Sequence, residues 1–172
     1  NIEDLLTRMG EGQAEMGLMT LHPPIEGVVR RSLARCHLSA DIIARSPTCL
    51  HFSNADPLCA KTEFSLKDLS GYRYLMGTPD YYTNLTRQHL RQAHPLFPFE
   101  RVLSTNRTHT IIRALKRPGF FTIGNRFQEK ELKKAGVHTR VLPETGDSQT
   151  LLWVYPKGRP LFPGDPAWVM KN

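Results

Sequence analysis

The sequence predicts an α/β fold, and three observations predict it. From residue 71 onward, short apolar runs alternate with helical patterns: "GYRYLMGT" (71–78), "PDYYTNLTRQHLRQA" (79–93), "FERVLST" (99–105), "NRTHTIIRALKR" (106–117) and "GFFTIG" (119–124). Single helices between strands require crossover connections, which implies parallel pairing and right-handed crossovers. With 172 residues, 40% of them hydrophobic, the chain can bury a core as one domain or as two small lobes.

Each element has its own signal. In "NIEDLLTRMGEG", Ile2, Leu5, Leu6 and Met9 share one helical face, and Gly10 and Gly12 supply the stop. "AEMGLMTL" (14–21) is a short apolar run closed by His22-Pro23-Pro24, which suits a buried strand running into a loop. "GVVRRSLARCHLSADIIAR" (27–45) alternates well enough to be one long strand or two strands joined by a bend. In residues 56–75, a turn and the short helix of SLKDL precede the strand 72–77, with Leu66 and Leu69 inward and Lys67 and Asp68 toward water. Past 124, a helix over 127–135 stops at Gly136, strands follow at 137–142 and 150–156, and the coil 143–149 is short and polar. Asp165-Pro166 begins a last helix, an N-cap followed by proline at the first helical position.

Composition narrows the function classes. The net charge of +7 is concentrated: residues 107–140 hold nine Lys and Arg against Glu129 and Glu131, and the rest of the chain balances. Such a segment is a surface for nucleic acid or an anionic ligand, or else a solvated helix face, since "QEKELKKAG" places its charges along a helix. Cys36, Cys49 and Cys59 lack the spacing of a zinc or redox motif and read as small buried thiols in a reducing cytoplasm. No apolar run approaches the roughly 20 residues that span a bilayer. The seven histidines show no HxH or HExxH spacing, and no GxSxG or phosphate-loop pattern occurs, so no catalysis, metal or cofactor is expected. His37 on a strand and His89 on a helix face read as structural, and His109, one residue inside a helix start, stays ambiguous. The sequons at Asn84 and Asn106 match a pattern common by chance.

In open α/β sheets, ligands collect at the carboxyl ends of strands, where helix N-termini present unpaired N–H groups. The turns to search are therefore "MTLHPP", "MGTPDYY", "STNRTHT" and "IGNRF", all rich in short donors and acceptors. Helix capping alone would also account for Ser, Thr and Asn in these places.

The order of elements resembles the effector-binding domain of LysR-type transcriptional regulators. "DPLCAKTEFSLKDLSGYRYL" (56–75) is similar to that family's turn, short helix and small strand, and "IEDLLTRMGEGQAEMGLM" looks like its helix, turn and strand. "VLSTNRTHTIIRALKRPGFFTIGNR" and "TLLWVYPKGRPLFPGDPAWV" resemble its later strand, helix and strand and its closing strand, basic turn and final helix. Departures stand at Glu15-Met16, at Pro118 and Phe120 in usual glycine positions, and at Gly124-Asn125; Phe120 should fill space near the ligand and select an atypical effector.

The resemblance implies a two-lobed, type II periplasmic-binding-protein-like fold with mixed, mainly parallel sheets. It implies a first lobe that is incomplete at its front, in a domain truncated at its N-terminus. Residues 1–44 would form part of lobe I with the first hinge strand, 45–137 lobe II, and 138–172 the return strand and the rest of lobe I. It further implies a cytoplasmic bacterial regulator that binds a small-molecule effector between the lobes and relays it to transcription. It would act as a homo-oligomer, dimer or tetramer, reach DNA only through an N-terminal winged helix-turn-helix domain absent from this chain, and have no membrane partner. A transport-type solute-binding protein of the same fold is the competing expectation. The ligand contacts implied are Thr20 and His22 at the exit of the strand 14–21, Thr78 at the end of 72–77, Asn106 and Thr108 at the helix start, and Asn125 with Arg126 after 119–124. Arg126 and the nearby Arg107 make an anionic effector the expectation.

Overall fold

In a computed structural model describing residues 1–95, 100–142 and 148–158, the chain divides into two compact units. The first comprises residues 1–45, 80–86 and 148–172, and the second residues 46–79 and 87–147. The helix expected at Asp165-Pro166 and most of the coil 143–149 lie outside the described residues.

The first unit is built on a three-stranded sheet. Helix α1 (Ile2–Gly10) buries Leu6 and Met9 against β1 (Gly17–Leu21), a strand that starts three residues later than the apolar run suggests. Gly17 stands at that start because a Cβ there would lie 2.7 Å from Leu5 Cδ1. A 3-10 turn (Pro23–Ile25) leads into α2 (Glu26–Arg35), and β2 (Leu38–Pro47) follows. The sheet order is β1, β8 (Ser148–Pro156), β2, with β1 antiparallel to β8 and Leu21 opposite Thr150. Leu21, Ile25, Val29, Leu33, Leu152 and Val154 fill its core.

Helix α2 corrects the expectation of strand over 27–45. Ile25, Val29 and Leu33 recur every four residues and are all buried, while Arg30, Arg31 and Arg35 are exposed, which is a helical face and not an alternation. Glu26 and Arg30 pair at 2.7 Å one turn apart. His37 is therefore not on a strand: it occupies the left-handed region (φ 54°) that ends the helix and turns the chain into β2.

The second unit holds a five-stranded sheet in the order β5, β4, β6, β3, β7. Its strands are β3 (Cys49–Ser53), β4 (Arg73–Met76), β5 (Val102–Ser104), β6 (Phe120–Gly124) and β7 (Val137–Val141). Between them in the chain run α3 (Tyr81–Ala93), of which residues 81–86 belong to the first unit, α4 (Thr108–Leu115) and α5 (Glu129–Lys134). The sheet is mixed: β4 is parallel to β5 and β6, joined through single helices as expected, whereas β3 runs antiparallel to both β6 and β7. Parallel pairing therefore does not dominate among the described ladders; the chain enters this sheet through β3 in the direction opposite to every strand that follows a helix.

Strand β3 was not assigned from the sequence, yet it is central and buried at all five positions. Leu50 and Phe52 join Leu58, Leu66, Leu69, Tyr74 and Phe121 in the main core, where the rings of Tyr74 and Phe121 stack with centroids 5.3 Å apart. The stretch 56–75 is held by Asp56, which is buried and accepts hydrogen bonds from Leu58 N (3.0 Å), Tyr72 Oη (2.7 Å) and Gly119 N (3.0 Å). The SLKDL segment is a 3-10 turn (Leu66–Leu69) with Leu66 and Leu69 buried and Lys67 exposed, and Asp68 is half-buried where it accepts from Ser65 N (2.8 Å) and pairs with Lys61. Phe120 is half-buried against Ile111, Ala114 and Leu115 of α4, with the Arg73 guanidinium 5.5 Å above its ring.

Candidate functional site

The register of the second unit brings several turns to one end of its sheet. β4, β5 and β6 are parallel, so their carboxyl ends share a rim. β3 runs the other way, so its start lies there too, with Cys49 opposite both Gly124 and Val141. The rim therefore carries the exits at 77–80, 105–108, 124–126 and 142, together with Ser46, Thr48 and Cys49. Thr105 N donates to Met76 O (3.1 Å) and Leu142 N to Thr48 O (2.9 Å), tying neighbouring turns together.

Five of the seven residues expected to bind a ligand stand on this rim, and they differ in how far their side chains are engaged. Thr78, Asn106 and Thr108 are exposed, and among the described residues their side chains take no hydrogen bond. Helix α4 has Arg107 at its N-cap with no side-chain cap, although Thr105 Oγ1 accepts from Arg107 N at 3.2 Å. Capping thus does not account for Asn106 and Thr108. Asn125 is half-buried and its Oδ1 accepts from Phe127 N (3.1 Å), closing the turn before α5.

Arg126 is engaged twice. Its backbone N–H donates to Ser46 Oγ (2.8 Å), and its guanidinium forks onto Glu129 at 2.6 and 3.3 Å. The hydrogen bond from Arg126 holds the Glu129 carboxyl below the usual carboxylate range. An anion at Arg126 must compete with Glu129, so its charge is weaker than the sequence suggests.

Thr20 and His22 belong to the first unit. Thr20 is on β1 opposite Leu151, and His22 precedes the 3-10 turn, where its carbonyl accepts from Ile25 N (3.1 Å). Burial pushes the His22 imidazole down to about 4, so it is neutral at ordinary pH.

Two buried residues beside Gly124 and the rim escaped the sequence reading, Thr48 and, two residues past Cys49 in β3, His51. His51, 4% exposed, meets Thr139 Oγ1 through Nδ1 (2.9 Å), and burial pushes it to about 4. Gly124 makes room for it: a Cβ there would lie 2.5 Å from His51 Nε2. Thr48 is 1% exposed, and its Oγ1 has no partner among the described residues. Nothing in "SPTCLHFS" signals these roles, because they depend on β6 and β7.

The chemistry on offer is hydrogen bonding. Burial raises the Cys49 thiol to about 11 and raises that of Cys59, so neither is a thiolate at neutral pH; Cys59 is exposed and Cys36 half-buried, which corrects the expectation of three buried thiols. Among the described residues no group of His, Cys, Asp and Glu could hold a metal ion, and no helix is long and apolar enough to cross a membrane. His109 is exposed in the first turn of α4.

Comparison with known proteins gives a consistent result. The family model described as the LysR substrate binding domain matches residues 1–168. The reduced regulatory domain of OxyR2 from Vibrio vulnificus is 15% identical, with a TM-score of 0.62 over 91% of this chain and 70% of that one. The regulatory domain of CcmR from Synechocystis PCC6803, in complex with 2-PG, is 16% identical, with a TM-score of 0.66 over 95% and 74%. The regulatory domain of MetR from N. meningitidis, a LysR family regulator, is 14% identical, with a TM-score of 0.58 over 89% and 68%. At these identities the likeness is one of fold. No curated protein matches the sequence.

Proposed function

The chain belongs to the LysR substrate binding domain family, and on that premise we propose that the sheet rim of its second unit binds a small polar effector through Thr78, Asn106 and Thr108, with Asn125 and Arg126 beside them. Family membership makes it a ligand-sensing regulatory domain of a LysR-type regulator and sets aside the transport reading. The observation that carries the site is that three exposed side chains share a rim and make no hydrogen bond among the described residues. Thr20 and His22 are the contacts proposed from the first unit, His22 as a neutral imidazole. The absence of catalysis, the homo-oligomer, the cytoplasmic location and the route to DNA through a separate winged helix-turn-helix domain are parts of the same proposal.

Effector binding regulates only if the effector prefers one of two arrangements of the regulator, since equal affinity for both shifts nothing. The pairing of Arg126 with Glu129 favours an effector that offers both donors and acceptors over a bare anion.

The test is a thermal-shift screen with small carboxylates, amino acids, aromatic acids and sugar acids, repeated on Asn106→Ala and Thr108→Ala. A ligand at 100 times its dissociation constant stabilises by about 2.7 kcal/mol, which is readily observed. A hit weakened by both substitutions, with unliganded stability unchanged, supports the site. A hit that neither substitution affects places the effector elsewhere.

A further inference from the structure

The excess positive charge is organised by the fold into one face. Helix α4 follows β5 and leads to β6, and α5 follows β6 and leads to β7. Both crossovers advance in the same direction along the sheet, so right-handedness puts the two helices on the same side. They share one apolar cluster there: Ile111 and Ala114 of α4 and Leu132 of α5 all pack against the cluster of Leu75, Leu115 and Val137. Each helix points its apolar side at the sheet and its cations outward. Arg113, Lys116 and Arg117 on and just after α4, and Lys130, Lys133 and Lys134 on α5, are all exposed.

None of these six forms an ion pair within the described residues. The nearby carboxylates are Glu129, which is taken by Arg126, and Glu131, which alone remains exposed between the lysines. Favourable contact with a helix C-terminus accounts for a cation in each last turn, but not for six against one free carboxylate.

We propose that this α4–α5 face binds the sugar–phosphate backbone of nucleic acid without reading its sequence. Two features favour a polyphosphate over an acidic protein. Four of the six cations are lysines, a residue depleted from protein–protein interfaces but suited to phosphate as a point charge. The exposed large apolar side chains of the described residues (Met16, Leu18, Ile42, Tyr81, Val102, Leu103 and Val141) all lie off α4 and α5, so the face lacks the apolar or aromatic anchor around which protein interfaces are built. The proposal is independent of the effector site, since its cations include none of the rim contacts.

The experiment is fluorescence anisotropy of a short duplex DNA of mixed sequence with the 172-residue chain, read between about 50 and about 200 mM salt. Binding should weaken steeply with salt and be indifferent to sequence. Replacing Lys130, Lys133 and Lys134 together by Gln should lower affinity at the low-salt end by roughly tenfold or more and reduce the slope of log K against log salt by about 2.7, the release expected for three phosphate contacts. Arg113→Gln with Lys116→Gln should reduce the slope independently, by about 1.8. Both variants change exposed side chains, and an unchanged melting temperature verifies that each is folded. No binding at the low-salt end overturns the proposal. So does a slope that neither variant alters, or a poly-glutamate peptide that binds as tightly as the duplex.

Discussion

Single residues carry unequal loads. Asp80 is buried and its carboxylate accepts from Ile2 N (2.9 Å), Glu3 N (3.2 Å), Thr83 N (2.7 Å) and Thr83 Oγ1 (2.6 Å), so one side chain caps the start of α3 and also takes two first-turn N–H groups of α1. Burial alone would raise its pKa, but these bonds outweigh burial and hold it below the ordinary aspartate value. Asp80→Ala is expected to lose about 1–3 kcal/mol in urea unfolding, since α3 loses its cap and two first-turn N–H groups of α1 lose their acceptor, although Asn1 still caps α1. Gly124→Ala is expected to cost about 1–3 kcal/mol, because the new methyl group meets the His51 ring. Gly10→Ala meets open space and should stay within about 0.5 kcal/mol. The contrast checks that the pair Gly124 and His51 shapes the rim. Neither partnership is visible in sequence, since each joins positions far apart in the chain.

Elements were legible where their signal was local. The helices and strands from 71 to 141 fall where periodicity and breakers put them, within a few residues at each end. Residues 27–35 misled because "VVRRSLAR" supports either period over so short a span, and only the burial of Val29 and Leu33 against β1 and β8 selects the helix. Strand β3 was missed for the opposite reason: buried on both faces, it shows no alternation at all. The 3-10 turn at 66–69 is a local signal with a tertiary consequence. Leu69 is fully buried beside Leu50 and Phe52, so Leu69→Ala should cost about 2–5 kcal/mol. Lys67→Ala, at an exposed position of the same turn, should change stability by less than about 0.5 kcal/mol. Chemical denaturation of the two variants separates an inward face from a mere loop.

For the whole molecule, each unit contains a histidine that folding keeps neutral. His22 and His51 are both pushed by burial from 6.5 to about 4. A depressed folded pKa means that the unfolded chain binds more protons between those values. Stability is therefore full above about 6.5 and falls as pH drops toward 4. His51, 4% exposed, should contribute the larger share, on the order of a few kcal/mol, and half-buried His22 less. Urea unfolding from pH 7 to pH 4.5 should show this decline, and His51→Gln, if folded, should flatten it. A stability independent of pH across that range would mean that the imidazoles are hydrated.

The sequence by itself determined the alternation of strands and helices, the inward and outward faces of the amphipathic helices, the concentration of charge after residue 107, and the polar turns in which to look for a ligand. These depend on neighbours a few residues away. Tertiary structure alone decided that 27–35 is helical, that β3 lies between β6 and β7, that Thr78, Asn106 and Thr108 find no hydrogen-bond partner among the described residues, and that two basic helices lie on the same side of one sheet. The physical reason is common to all four: whether a residue is buried, paired or free depends on groups that chain folding brings to it from distant positions, and composition and spacing do not contain that distance.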